Sequence, residues 1–393
     1  MPTVLSASRS ATPPRSAPAG ATVTATPGSS TWGQSVRLRV VVDSTTGTPT
    51  GAVSLASDRD GALGSCTLAA GTCDVTTGSL SVGTHAITAT YAGDGNWAGT
   101  TSLAISVVVG LASSTTTVTS SASPIVAGNP VTLTATVDAT TGQAGGTVTF
   151  LDGTTPIDTC VLAGVTATRA TCSLTTTALL PGTRSIRARF EGDARFATST
   201  SAAISQVVRA TTTTSVTPNP SPSVYGQSVG ILVTVATDTT TATGTVTVLD
   251  GGTTVGTCVL ASGACTVTTS TLVVGSHSLT ASYPGDAGHG ASVSSAVAHT
   301  VNANSSTTTV ASNLPTSAWG QAVRFRVTVS SSTTVPTGSA IVFVDGNSLG
   351  TCTLAAGICD VTTGSLSVGP HTVSATYTGN GNHLASDSAT ITQ

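Results

Sequence analysis

The sequence contains no lysine, and its 13 basic residues are all arginine. That excludes Lys-dependent chemistry such as Schiff bases, and the Lys to Asn cross-links that some surface proteins use. Charge of either sign is scarce: 7% of 393 residues are charged, the net charge is -3, and Glu191 is the one glutamate. A nucleic-acid partner needs a basic face to neutralise phosphates, so none is expected. A glycosidase needs two facing carboxylates, and no region offers a distinctive pair. No phosphate-cradling loop occurs, no cofactor is implied, and the chain does not read as an enzyme. No run of about 18 apolar residues exists, so no membrane span is expected. The first twenty residues, "MPTVLSASRSATPPRSAPAG", lack the apolar core of a secretory signal; either a signal precedes the numbering or the chain is a piece of something longer. No window shows sustained helical periodicity.

What is present is β-branched and repetitive. Hydrophobic residues make up 39% of the chain, enough to build cores, and Thr, Val and Ser dominate, which favours strands. The turn "WGQSV" at Trp32 to Val36 returns as "AGNPV" at Ala127, "YGQSV" at Tyr225 and "WGQAV" at Trp319, with its glycines 95, 98 and 94 residues apart. A second landmark keeps pace: "YAGD" at Tyr91, "FEGD" at Phe190, "YPGD" at Tyr283 and "YTGN" at Tyr377. The expected organisation is a Ser/Pro-rich arm, 1–20, and four repeats, 21–109, 110–208, 209–301 and 302–393.

Within each repeat the period is two. "VRLRVVV" and its counterparts alternate as a half-buried strand does, and Ile87, Ala89 and Tyr91 point opposite to Thr88 and Thr90. Asp-Gly pairs mark tight turns between strands. Six or seven short antiparallel strands per repeat predict an all-β chain of four tandem immunoglobulin-like β-sandwich domains, strung by short polar links into an elongated rod.

Each repeat carries two cysteines: Cys66 with Cys73, Cys160 with Cys172, Cys258 with Cys265, Cys352 with Cys359. Folding the segment between them as a hairpin brings each pair opposite one another at the separation a cross-strand disulfide requires. Repeat 2 lengthens its loop and keeps both cysteines, which a staple tolerates and a rigid metal site does not. The C-x2-C spacing of zinc sites and redox couples is missing, so disulfide staples are favoured over metal ligation or free thiols. Such bonds persist outside a reducing cytosol, which places the protein outside the cell or on its surface.

Other side chains raise narrower questions. Asp94, Asp193 and Asp286 at the Gly-Asp corners could donate oxygens to Ca²⁺, but Asn380 fills the place in repeat 4, and capping of the turn by its own side chain is the favoured reading. Asp58-Arg59-Asp60-Gly61 reads as a turn, not a calcium loop. His85, His277 and His371 share a strand position with Arg184 and read as strand-end polar residues. Trp97, Phe196, His289 and His383 share a position after the corner; a ring there is expected to pack over the sandwich end, with sugar binding as the alternative. Asn304-Ser305-Ser306 matches a glycosylation sequon.

The order of Thr-rich opening strand, "GQSV" turn, "GTVTFLDG" strand and G-x-H-x-[ILV]-x-A-x-Y-x-G-D strand resembles the bacterial Ig-like domain repeats found in tandem in surface and secreted proteins. That resemblance covers residues 21–393 and implies stalks, spacers or adhesive modules. The expected function is a non-enzymatic stalk, fibre or filament element of a bacterial surface. The alternative is an adhesin or carbohydrate-binding array that presents loops to a glycan or protein ligand. Expected partners are copies of itself end to end, with residues near Thr3 to Ser8 lying along a neighbour's last repeat, or further repeats of a longer chain.

Overall fold

The computed structural model describes Ala17 and residues 19–393; the Thr3 to Ser8 segment lies outside the described residues. Its described elements are all strands.

In repeat 1 the strands are β1 (Gly20–Thr26), β2 (Ser29–Thr31), β3 (Val36–Asp43), β4 (Ala52–Ser57), β5 (Gly61–Thr67), β6 (Thr72–Thr77), β7 (Gly83–Gly93), β8 (Ala98–Thr101) and β9 (Ile105–Gly110). One sheet runs β1-β3-β6, the other β2-β9-β7-β4-β5 with β8 on β7. The alternation of "VRLRVVV" is the reason the sheets face each other: Val36, Leu38, Val40 and Val42 of β3 are buried against Val53, Leu55, Ile87, Ala89 and Tyr91 of the opposite sheet. Repeat 3 has the same strand order, and repeat 2 adds a short strand, Ala163–Gly164, beside Arg169–Thr176.

The short edge pair is parallel, not antiparallel: Ser29 to Thr31 lie beside Val108 to Gly110, and Ser223 and Val224 beside Val301 and Asn302. Two or three residues are too few to show a period, so this strand was not legible. In repeat 4 the closing strand is Ile391–Thr392, paired with Thr372 and Val373, and Thr316 to Ala318 have no strand beside them among the described residues.

All four cysteine pairs are bonded, with Cα–Cα separations of 5.7 to 5.8 Å. Their placement differs from a cross-strand pair within one hairpin. Cys66 stands opposite Val53 in one sheet and Cys73 opposite Val40 in the other, so each bond ties the two sheets together at their edges. The turn closes only at Ala69 and Thr72; there Leu68 N donates to Gly51 O while Val42 N donates to Gly71 O, so the chain is handed from one sheet to the other. Ala70 (φ 50°) and Gly71 (φ 76°) supply the left-handed backbone that this crossing needs.

By compactness the chain falls into two units. Of the described residues, one holds those up to 179 and 183–207, the other 180–182 and 208–393, so each contains most of two consecutive repeats.

Candidate functional site

The Gly-Asp corner follows the strand that ends in Tyr91, Phe190, Tyr283 or Tyr377. In repeat 1, Asp94 Oδ1 accepts from the backbone N–H groups of Asn96 (2.8 Å) and Trp97 (3.0 Å), while Oδ2 accepts from Thr50 N (3.1 Å) and Thr50 Oγ1 (2.8 Å). Asp193 caps Arg195 and Phe196 in the same way and reaches Gly145 N at 2.9 Å. Asp286 takes Gly288 N, His289 N, His289 Nδ1 and both donors of Thr243. Asn380 keeps the arrangement without charge: Oδ1 accepts from Asn382 and His383, and Nδ2 donates to Thr337 O and Oγ1. Each corner side chain therefore bolts its loop to a second loop roughly forty residues earlier, and its oxygens are engaged by protein donors.

These bonds hold Asp94 and Asp286 in their charged form. Hydrogen bonds led by Asn96 N–H hold Asp94 far below the usual carboxylate range. Burial pushes Asp286 up but is outweighed by Thr243, His289 and Gly288, so it too lies far below that range. A depressed carboxylate stabilises the fold above its unfolded value and loses that contribution as pH falls through the folded one. Thermal melts should therefore be flat in this respect from pH 7 to about 5 and fall only below about pH 4. A steep decline already at pH 6 would contradict this role.

The ring after each corner is enclosed. Phe196, His289 and His383 are buried, and Trp97 is half-buried beside the Ser44 to Gly47 loop, where its Nε1 donates to Ser44 Oγ at 2.7 Å. The segment entering each repeat is bonded to the residues on either side of this ring. Ala112 N donates to Arg195 O and Ala197 N to Ala112 O, and the pattern repeats at Ala17, Ala210 and Asn304. This enclosure leaves none of the four corner rings as an open platform for a sugar. Asn304 itself is 2% exposed and bonded through Nδ2 to Thr333 Oγ1 at 2.6 Å, so the sequon asparagine is inaccessible in the fold.

The shared histidine position turns out to be a latch. His277 Nδ1 meets Asp250 at 2.6 Å and Nε2 meets Val273 O at 2.8 Å; His371 meets Asp345 at 2.6 Å and Ser367 O at 2.9 Å. His85 bonds Ser57 Oγ and Ser81 O, with Asp60 at 3.3 Å, and Arg184 reaches Asp152 at 3.5 Å. The sequence placed these residues at a strand end but gave no sign of the turn aspartates that hold them. The hydrogen bond to Asp345, then that to Ser367 O, raises the His371 pKa. A raised histidine stabilises repeat 4 fully below its unfolded value, about 6.5, and the contribution is lost as pH rises through the folded value. The His371 ring should titrate by NMR with a midpoint above about 6.5, and Asp345→Asn should bring it down. An unmoved midpoint in Asp345→Asn would remove the latch as its cause.

Glu191 accepts from Thr149 Oγ1 (2.6 Å) and Arg189 Nε (2.9 Å), which lower its pKa against burial, the Thr149 bond being the largest cause. Asp58 and Asp60 sit in the β4–β5 turn, bonded to Ala86 N and to Ser81. Among the described residues no group of three or more His, Cys, Asp or Glu side chains is placed to hold a metal ion. Sequence reading missed one serine in each repeat, buried in repeats 1 to 3 and half-buried in repeat 4. Ser102, Ser201, Ser294 and Ser388 each accept from the N–H of an alanine thirteen residues earlier, and nothing distinguishes them from the many other serines.

Within each unit, the turn aromatic of one repeat packs on the corner of the next. Trp32 lies edge-on to Phe196, with ring centroids 5.4 Å apart, and the Arg195 guanidinium sits 4.8 Å from its ring centroid. Thr141 Oγ1 donates to Trp32 O at 3.2 Å. In the other unit, Tyr225 lies edge-on to His383 at 5.9 Å, and Thr333 Oγ1 donates to Tyr225 O at 2.6 Å.

The bacterial Ig-like domain (group 3) family model matches residues 23–110, 118–209, 216–302 and 308–393, and the chain belongs to that family as four tandem copies. Among solved structures, a tetra-tandem repeat in the extending region of a large adhesion protein is 18% identical, with 95% of this chain and 98% of that one covered and a TM-score of 0.47. The Escherichia coli adhesin FdeC is 14% identical over 72% of this chain and 96% of its own, with a TM-score of 0.31. The four-domain ectodomain fragment of ICAM-5 is 13% identical, covering 95% and 99%, with a TM-score of 0.49. No curated protein matches the chain.

Proposed function

We propose that the chain is a non-enzymatic, extracellular structural element of a bacterial surface, a stalk or extender built from disulfide-tied Ig-like repeats. The observation that carries this reading is the use made of the corner side chains. The aspartates, rings and histidines that would be a ligand's contacts are engaged in fastening each repeat's own loops and the segment that enters it. The inter-sheet disulfides support an oxidising compartment, since such bonds do not persist in a reducing cytosol. Family membership supports a repeat array on a bacterial surface and leaves the choice of stalk or adhesin to experiment.

Probing glycan and surface-protein arrays with the oxidised full chain tests it. A stalk gives no saturable binding. Saturable binding to one glycan class, abolished by changing a corner loop such as Thr45 to Thr48, would establish the adhesin reading instead.

A further inference from the structure

We propose that the junction between repeats 3 and 4 is an acid-sensitive hinge: a proton taken up by buried His299 frees the segment Ser221 to Val224, and with it the Tyr225 turn that rests on repeat 4.

The device begins with two imidazoles on neighbouring strands. His299, in the strand Val297–Asn302, stands directly opposite His277 of the strand Gly275–Tyr283, and their ring centroids are 6.4 Å apart. His299 is 1% exposed. Its Nε2 lies 2.9 Å from Ser223 Oγ and its Nδ1 3.2 Å from Ser221 Oγ. In a neutral ring one nitrogen donates and the other accepts, whereas a charged ring donates at both. Ser223–Val224 is the outermost strand of that sheet, two residues long, beside Val301 and Asn302. The bonds to His299 therefore fasten a strand that has little else to hold it.

That strand runs straight into the junction. Tyr225 N donates to Asn302 O at 2.8 Å and Val224 N to Gln227 Oε1 at 3.0 Å, so strand and turn are one piece. The next contacts along it are those of Tyr225 with the His383 ring and Thr333 of repeat 4.

Few charged groups surround His299. His277 and Asp250 act on it from the adjoining strands, Ser221 and Ser223 present hydroxyls, and the strand of the other sheet that packs on it, Thr213–Asn219, carries no titratable side chain. Burial, then the charge on His277, lowers the His299 pKa against the pull of Asp250. Burial pulls His277 down as well, but its bonds to Asp250 and Val273 O outweigh it and raise its pKa. His277 is thus the ring that charges first, and a second cation beside it in a buried site is disfavoured. A histidine with a depressed folded value contributes fully above its unfolded value, about 6.5, and loses that contribution as pH falls from there toward the folded one. Opening the edge strand puts His299 in water and leaves His277 on Asp250, so local opening responds to His299 alone. In global unfolding the gain at His277 opposes the loss at His299.

The corresponding places in repeats 1 and 2 do not titrate. Val107 stands opposite His85 in repeat 1; in repeat 2 Gln206 accepts from Ser120 Oγ and donates to Ala122 O. Acid should therefore loosen the Tyr225 junction and leave the Trp32 junction alone.

Hydrogen exchange of the full oxidised chain, expressed as protection relative to the intrinsic rate at each pH, tests this. Protection of the Tyr225 amide should fall roughly tenfold or more from pH 7 to 5, where a ring of value about 6.5 released into water permits about thirtyfold. The Trp32 amide, which donates to Gly110 O, should keep its protection. His299→Gln, after the pattern of repeat 2, should abolish the fall at Tyr225. Should that variant misfold, NMR titration of the wild-type chain decides the same point, with a His299 midpoint below about 6.5 expected. Constant Tyr225 protection in the wild type, a matching fall at Trp32, an equal fall in folded His299→Gln, or a His299 midpoint at or above about 6.5 overturns the proposal. Glycan binding on the arrays would sink the stalk reading and leave these measurements unchanged.

Discussion

Phe196→Ala should lower the stability of repeat 2 by about 3–5 kcal/mol, the usual range for emptying a buried phenylalanine site. The side chain has no exposed surface, and the residue sits at a convergence of fastenings. Its N–H is held by Asp193 and its carbonyl accepts from Asp193 N, Ala112 is bonded to its neighbours on both sides, and its ring carries Trp32. A cavity there removes packing from the corner, from the entering segment and from the preceding repeat at once. For a domain whose whole stability is typically 5–15 kcal/mol, that is a large share. Trp32→Ala deletes only the junction side of the contact and should cost about 0.5–1.5 kcal/mol. Urea unfolding of both variants and of the double variant isolates the coupling. Native-state hydrogen exchange at the Ala112 and Ala197 amides should accelerate strongly in Phe196→Ala and little in Trp32→Ala. An unchanged unfolding midpoint for Phe196→Ala would mean that the corner relaxes to fill the space.

The contrast between those two variants also marks where sequence reading stops. The strands were legible because alternation persists over six or more residues, as in Val36 to Val42, where one register buries Val36, Leu38, Val40 and Val42 together. The corner aspartates were legible as turn formers because Asp after Gly is a local device, and the residues it caps lie two and three positions away. What the rings touch was not legible. Trp32 and Phe196 are separated by more than 160 residues, and no local pattern encodes that pairing. Asp250 with His277 and Asp345 with His371 were hidden for the same reason at shorter range, since an aspartate in a tight turn already has a sufficient local explanation. Asn304 shows the converse: Asn-Ser-Ser is a three-residue match with no information about burial, and the fold uses that amide to bind Thr333. The cystines were legible as pairs, but a short small-residue loop looks the same whether it closes a hairpin or arches between two sheets.

That arch is the reason the disulfides should matter. Reduction should lower the stability of repeats 1, 3 and 4 by about 2.5 kcal/mol each and of repeat 2 by about 3 kcal/mol, from the loop entropy restored to the unfolded chain. The difference follows from loop length, since the bonded cysteines are 7 positions apart in three repeats and 12 apart in repeat 2. Strands such as Gly61–Thr67 and Thr72–Thr77 are the outer edges of two different sheets, joined otherwise by the short turn between them and by side-chain packing. Much of that packing comes from valines and alanines such as Val40, Val53 and Ala89, which offer little area per residue. Cys66→Ala/Cys73→Ala should therefore bring the unfolding of repeat 1 to lower urea while the transitions of the repeats in the other unit stay in place. A parallel shift of every transition would instead mean that the array unfolds as one cooperative body, with each bond supporting repeats it does not touch. If oxidised and reduced chains unfolded at the same urea concentration, packing alone would hold the sheets together, and the argument that these bonds mark an oxidising compartment would lose its physical basis.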